Sequence, residues 1–347
     1  MNNKEKVYAI IEKLEKGHIN LWHDITKVDM LSYIEKIEWN NLDDVQFDFE
    51  MLKLFSKFKD GHTRYFIKNK TLKNKLIYKN EKVYILEGNK YFEVLRINDM
   101  SIKILIDIFE TMVCYETNEW KNVQVEIAFN SYYFYTMLGM DEVYAYLDNG
   151  NKIKLEEASN EEMKARLKEF SPYSYKFMDD ILYIKYSACR DDENISFLDF
   201  VNKIKTDIEA LNTHKYILDL RGNKGGNSEI LNPFQDLVRE KKLEGILLID
   251  SRVFSSGRFA VAKFKKEFNT LLVGMPTGGA ASSYGYNNND NVEDKSFSYS
   301  IRYWDFKDIF NDSGSIKPDI YVDNSINDLE NNYDRMLSES IKLLNKK

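Results

Sequence analysis

From Tyr173 onward the chain alternates short apolar runs with amphipathic stretches, and this alternation constrains the fold more than any other feature. DILYIKYSA, SFLDFVNKIKTDIEAL, KYILDL, SEILNPFQDLVREKK, EGILLID, SGRFAVAKFKKE and TLLVGMP follow in that order. Strand-like and helix-like patterns that take turns predict βαβ units and a partly parallel sheet. YILDL and GILLID lack polar alternation, as expected of strands buried on both faces. Upstream the period changes. Apolar residues recur at three and four through Val7, Ile10, Ile11 and Leu14, then Met30, Ile34 and Ile37, then Phe47, Met51, Leu54, Phe55 and Phe58. That spacing predicts helices up to about Lys59.

Between about Lys75 and Glu157 the runs KLIY, KVYILEG, YFEVLRIND, VQVEIAF and EVYAYLDNGNKIKLEE predict strands, with one helix near Ile102 to Met112 and a hairpin turn at Asn149-Gly150. The closing NNYDRMLSESIKLLNKK predicts a terminal helix. The expected class is therefore α/β, a mixed α+β multidomain chain. Residues 1–72 form a helical region, 73–165 a β-rich module and 166–347 a βαβ domain.

The 347 residues carry a net charge of -7, which gives no electrostatic reason to expect a nucleic acid or an anionic membrane as partner. The amino terminus has no uninterrupted apolar core followed by small residues, and no apolar stretch is long enough to span a bilayer, so the expected location is cytoplasmic. Cys114 and Cys189 are expected to be free thiols. The histidines at 18, 23, 62 and 214 form no Cys/His cluster at ligand spacing, so neither a metal nor a cofactor is expected.

Three short stretches could carry chemistry. In DLRGNKGGNS, residues 219 to 228, a strand enters a turn whose Gly225 and Gly226 allow positive φ and can aim peptide N–H groups at an anion. The lysine precedes the paired glycines, so this is not a phosphate-binding P-loop. In RVFSSGRFAVAKF, Ser255 and Ser256 stand where a strand passes into a helix. There a hydroxyl is either a nucleophile favoured by the helix dipole or simply a cap. In KDGHTRYF, His62 lies between a helix and a strand, with Asp60 able to orient its ring.

Together these motifs resemble the S41 family of serine peptidases, which includes the tail-specific or C-terminal processing proteases and the tricorn-core relatives. DLRGNKGGNS resembles the family's D-x-R-x-N-x-G-G turn, FSSG its nucleophile turn, LLVGMPTGGAASSYG its V-G-E-x-T-x-G segment, and PDIYVD its closing strand. The resemblance covers residues 172 to 325 well. GHINLW followed by KDGHT extends it more weakly to a bacterial subgroup bearing D-G-H-T. It implies Ser255 as nucleophile, with the N–H groups of Gly225 or Gly226 and of Ser256 as the oxyanion hole. Where Ser-Lys members place the basic lysine, this chain has Ala280, and Arg258 stands where many have glutamate. Tricorn-like members use an earlier histidine and a late carboxylate. His62 matches the first, and Asp312 falls near the second, with Asp60 as rival orienter. EVLRINDMSIKILIDIF is similar to a PDZ segment, with Asp99 where glycine is usual.

The expected activity is hydrolysis of peptide bonds in peptides or unfolded protein through an acyl-enzyme, with Ser255 as nucleophile and His62 as general base. A peptide-binding protein of the same fold that has lost its base is the alternative, favoured by Arg258 and Ala280. An unrelated α/β-hydrolase is disfavoured because no G-x-S-x-G elbow occurs.

Overall fold

The computed structural model describes residues 1–68 and 70–346, so Asn69 and Lys347, the last residue of the expected terminal helix, lie outside it. The described chain forms two compact units. The first comprises Met1–Leu167 and Ser283–Trp304, and the second Lys168–Ser282 and Asp305–Lys347.

In the first unit the helices Asn3–Gly17, Lys27–Glu35 and Asp44–Ser56 each begin at a side-chain cap, Asn2, Thr26 and Asp43. These oxygens satisfy peptide N–H groups that have no partner within the helix. The strands Leu76–Lys79, Lys82–Glu87, Lys90–Ile97, Val143–Leu147 and Lys152–Leu155 form an antiparallel sheet. Helices and sheet were expected as separate domains, 1–72 and 73–165, but they bury one continuous core. Val7, Leu14, Phe47 and Phe55 belong to the same apolar cluster as Val94 and Val143.

VQVEIAF is a correction, because it lies in the helix Asn118–Phe129 rather than in a strand. Thr117 caps that helix by accepting from Trp120 N, and Trp120, Val123 and Phe129 are buried along it. An apolar run this short fits either period, and the cap decides it. The Asn149-Gly150 hairpin forms, with only Gly150 at positive φ.

Arg64–Tyr65, just after D-G-H-T, pairs antiparallel with the strand Lys295–Asp305, Arg64 opposite Ser298 and Tyr65 opposite Phe297. Because of that pairing the late hairpin belongs to the first unit, whereas the three-part division placed it in 166–347.

The second unit is the expected βαβ domain. Its sheet runs in the order Ile320–Tyr321, Leu271–Gly274, Glu244–Ile249, Lys215–Asp219, Ile181–Tyr186 and Tyr173–Met178. All pairings are parallel except the last. Tyr216, Leu218, Leu247 and Ile249 face the helices Phe197–Leu211, Asn232–Lys241 and Ser256–Phe268 in one core, and Ile217, Ile246 and Leu248 face Met336 and Leu344 of the helix Arg335–Asn345 in another. Burial of alternate residues on opposite faces explains why these strands read as continuous apolar runs.

Asp219 and Arg221 of D-L-R serve this scaffold. The Arg221 guanidinium makes two bonds to Asp219 and two to Asp334, the cap of the terminal helix, and the Arg221 backbone N donates a further bond to Asp219. Among the described residues no helix is long and apolar enough to cross a membrane.

Candidate active site

In the second unit the glycine turn and the serine turn are packed backbone to backbone. Asn223 is fully buried and ties them together. Its Nδ2 donates to Tyr186 O (2.9 Å), its Oδ1 accepts from Gly225 N (2.8 Å), and its carbonyl accepts from Phe254 N (3.0 Å). A Cβ on Gly257 would lie 2.5 Å from Asn223 O, one on Gly225 2.7 Å from Ser256 N, and one on Gly226 2.3 Å from Cys189 O. Gly225 and Gly226 have φ of 104° and 134°. Close approach and left-handed backbone together require glycine at both positions.

Ser255 occupies the cap position of the helix Ser256–Phe268 but makes no capping hydrogen bond. Its backbone lies at φ 49°, ψ -124°, the conformation of the first central residue of a type II′ turn, which favours glycine. The hydroxyl is thus held at the positive end of a helix without the bond that would explain it as a cap. Ser256 Oγ donates to Gly226 O (2.5 Å), which leaves Ser255 as the better placed attacking group. Gly225 N–H is engaged by Asn223, so Gly226 and Ser256 are the better placed oxyanion donors of the three.

Arg258 is buried. Its guanidinium donates to the carbonyl of Ala280 and lies 5.5 Å and 5.7 Å from the rings of Phe259 and Phe306. Lys263 donates to Ser228 O and Asn232 Oδ1, and Lys265 pairs with Asp319. Asp312 accepts from Gly314 N (2.9 Å) and pairs with Lys317 (3.0 Å), an arrangement that closes a surface loop.

In the first unit Asp60 organises the D-G-H-T turn. Its Oδ1 accepts from the backbone N of His62 (2.8 Å), and its Oδ2 from Thr63 Oγ1 (2.6 Å). Asp60 Oδ2 also lies 3.0 Å from His18 Nε2. His18 Nδ1 accepts from Asn20 N (2.9 Å), so Nε2 carries the proton and donates to Asp60. Burial pushes the Asp60 carboxyl up, but the bonds from His18 and Thr63 and the field of His62 prevail and hold it well below the usual carboxylate range.

His62 is buried, with Nδ1 4.0 Å from Asp60 Oδ1. Its carbonyl accepts from Ser298 Oγ (2.7 Å), and its ring is flanked by Gly285, where a Cβ would lie 3.4 Å from Cε1. Asp60 therefore fixes the His62 backbone directly and faces its ring at longer range. Glu116 accepts from Gly61 N (2.7 Å) and comes within 4.8 Å of ligand atoms of Asp60 and His62.

Nothing in the sequence marks Glu116, which tertiary packing alone brings to D-G-H-T. His18 is the histidine of GHINLW, quoted with KDGHT in the resemblance, although its bond to Asp60 was not legible. Asn223 was legible as the asparagine of the glycine-turn motif, although its bracing role was not.

No protein-family model and no curated protein matches the sequence. Solved structures do share its fold. Mature CPAF complexed with lactacystin aligns over 99% of this chain and 97% of that chain, with a TM-score of 0.70 and 11% identity. A putative peptidase from Parabacteroides merdae aligns over 99% and 97%, with a TM-score of 0.56 and 14% identity. The photosystem II D1 C-terminal processing protease aligns over 93% and 94%, with a TM-score of 0.52 and 10% identity. At these identities the likeness is one of fold. The shared fold is that of mature CPAF, the processing protease and the putative peptidase, and the alignments run over both units.

Proposed function

We propose that this chain is a serine peptidase of the S41 type, from the D-G-H-T subgroup that works without the Ser-Lys lysine. Ser255 Oγ attacks the scissile carbonyl carbon while His62 takes its proton. The N–H groups of Gly226 and Ser256 hold the oxyanion, and the imidazolium returns the proton to the leaving amine. Water then repeats the sequence on the acyl-enzyme. Asp60 orients His62, a role favoured over Asp312 by its bond to the His62 backbone. The substrates are peptides or unfolded protein.

The observation that carries this reading is the strained, uncapped Ser255 set against a turn that tolerates only glycine. Ser255→Ala and His62→Ala, assayed on an unfolded protein substrate, should each lower hydrolysis by about 10²–10⁴. Unchanged rates in both variants would refute the assignment.

A catalytically silent peptide-binding protein is the second reading, favoured by Arg258 tied to Ala280, where Ser-Lys members hold their base. A fluorophosphonate separates the two, since it labels an activated Ser255 and leaves an inert one untouched.

A further inference from the structure

The geometry points to a binding site for a single divalent cation of the zinc class in the first unit, ligated by one oxygen of Asp60, one ring nitrogen of His62 and one oxygen of Glu116. The three ligand atoms lie within 4.8 Å of one another, and the Asp60 and His62 residues are buried. Zinc holds nitrogen and oxygen donors at about 2.0–2.2 Å in tetrahedral geometry, which sets the donors about 3.3 Å apart. His62 Nδ1 and Asp60 Oδ1 are 4.0 Å apart and no pair in the set exceeds 4.8 Å, so seating the ion draws the three side chains together by at most about 1.5 Å. An imidazole with two carboxylates suits zinc, cobalt or nickel and disfavours magnesium and calcium, which take oxygen ligands.

Supporting bonds of the kind that orient metal ligands are already in place. His18 and Thr63 hold Asp60, and Gly61 N–H holds Glu116. The half-buried guanidinium of Arg64 feels both Glu116 and Asp60. Two carboxylates and one guanidinium leave one negative charge for a dication to meet. Cys114 is buried nearby but offers no ligand atom to this set, which consists of Asp60, His62 and Glu116.

Three protein ligands leave the fourth position to water or a substrate group. The functional consequence rests on the peptidase reading. A cation on His62 occupies the lone pair that would accept the Ser255 proton, so bound metal reversibly silences the enzyme.

The binding claim is tested on the full chain without reference to activity. Cobalt titration followed by visible absorption, with zinc competition, should reveal one site per chain. Glu116→Gln should weaken it about tenfold or more, with Glu116→Asp between the two. Circular dichroism of each variant controls for folding. Absence of a single saturable site, or equal affinity in Glu116→Gln, overturns the assignment. The regulatory claim is read by fluorophosphonate labelling of Ser255, which zinc should block in the wild type with the same concentration dependence as its binding. If zinc saturates the site and labelling continues unchanged, the silencing is wrong while the site stands. If apo protein neither labels nor hydrolyses, the peptidase reading fails while cobalt binding remains decisive for the site.

Discussion

Replacing Ser255 by glycine should stabilise the second unit relative to replacing it by alanine. Ser255 lies at φ 49°, ψ -124° and makes no side-chain capping bond, so neither substitution removes a cap. A residue with a Cβ in such a sparsely populated region costs about 1–3 kcal/mol. Alanine keeps that cost, and glycine removes it. Glycine gives back about 0.5–1 kcal/mol through the freer unfolded chain. The balance favours Ser255→Gly over Ser255→Ala by about 1 kcal/mol, or about 2–4 °C in melting temperature for a unit of this size. Calorimetry and urea unfolding of the two variants measure it, and activity should be lost in both. If Ser255→Ala is as stable as Ser255→Gly, the strain argument fails. If Ser255→Ala alone loses about 1 kcal/mol against wild type, Ser255 is an ordinary helix cap.

Other variants probe the surrounding frame. Gly226→Ala would place a Cβ 2.3 Å from Cys189 O at φ 134° and should destabilise the second unit by about 3 kcal/mol in urea titration. Ala280→Lys, which restores the lysine of Ser-Lys members, should cost about 3 kcal/mol or more without raising activity, because it buries an ammonium beside the Arg258 guanidinium. Burial sets the Cys189 thiol at about 11 and the Cys114 thiol at about 12. At pH 8 a disulfide reagent should therefore react with neither in the native chain and with both in denaturant. Burial raises the Asp219 carboxyl, but its bonds to Arg221 outweigh that and leave it below its unfolded value. Its contribution is complete above about pH 4 and lost as pH falls below that. The melting temperature should drop on acidification, and the drop should be shallower in Asp334→Asn, which loosens the same arginine.

The βαβ half was legible because its signals are local: alternation of period, two-faced apolar strands and glycine turns at fixed offsets. Every strand and helix expected between Tyr173 and Met275 is present. The first unit was less legible, for two physical reasons. A seven-residue apolar run such as VQVEIAF fits both periods, and the Thr117 cap that decides it lies outside the run. Cores and sheets also join residues far apart in sequence. Arg64–Tyr65 pairs with a strand more than two hundred residues later, and Phe47 shares a core with Val143. The site divides the same way. Ser255, the glycines and His62 are candidates from motif context, whereas Glu116 reaches the D-G-H-T turn only through packing, and the bond of His18, the histidine of GHINLW, to Asp60 is set by packing too.

Arg258 and Ala280 read in the sequence as two separate losses, but in the fold they are one arrangement. The Arg258 guanidinium bonds the Ala280 carbonyl and packs against Phe259 and Phe306, and a Cβ on Gly279 would lie 3.1 Å from Arg258 Cδ. A lysine at 280 would enter a filled corner already holding a buried positive charge. The corner is therefore incompatible with a lysine base but says nothing against a base supplied elsewhere. A fold retained only for binding has no use for a strained serine, because glycine at 255 would relieve the backbone at no loss of the turn. The Ser255 conformation costs stability, and under the proposed peptidase reading the return for it is a hydroxyl placed for attack. That asymmetry weighs the Arg258–Ala280 corner as a change of base rather than the loss of one.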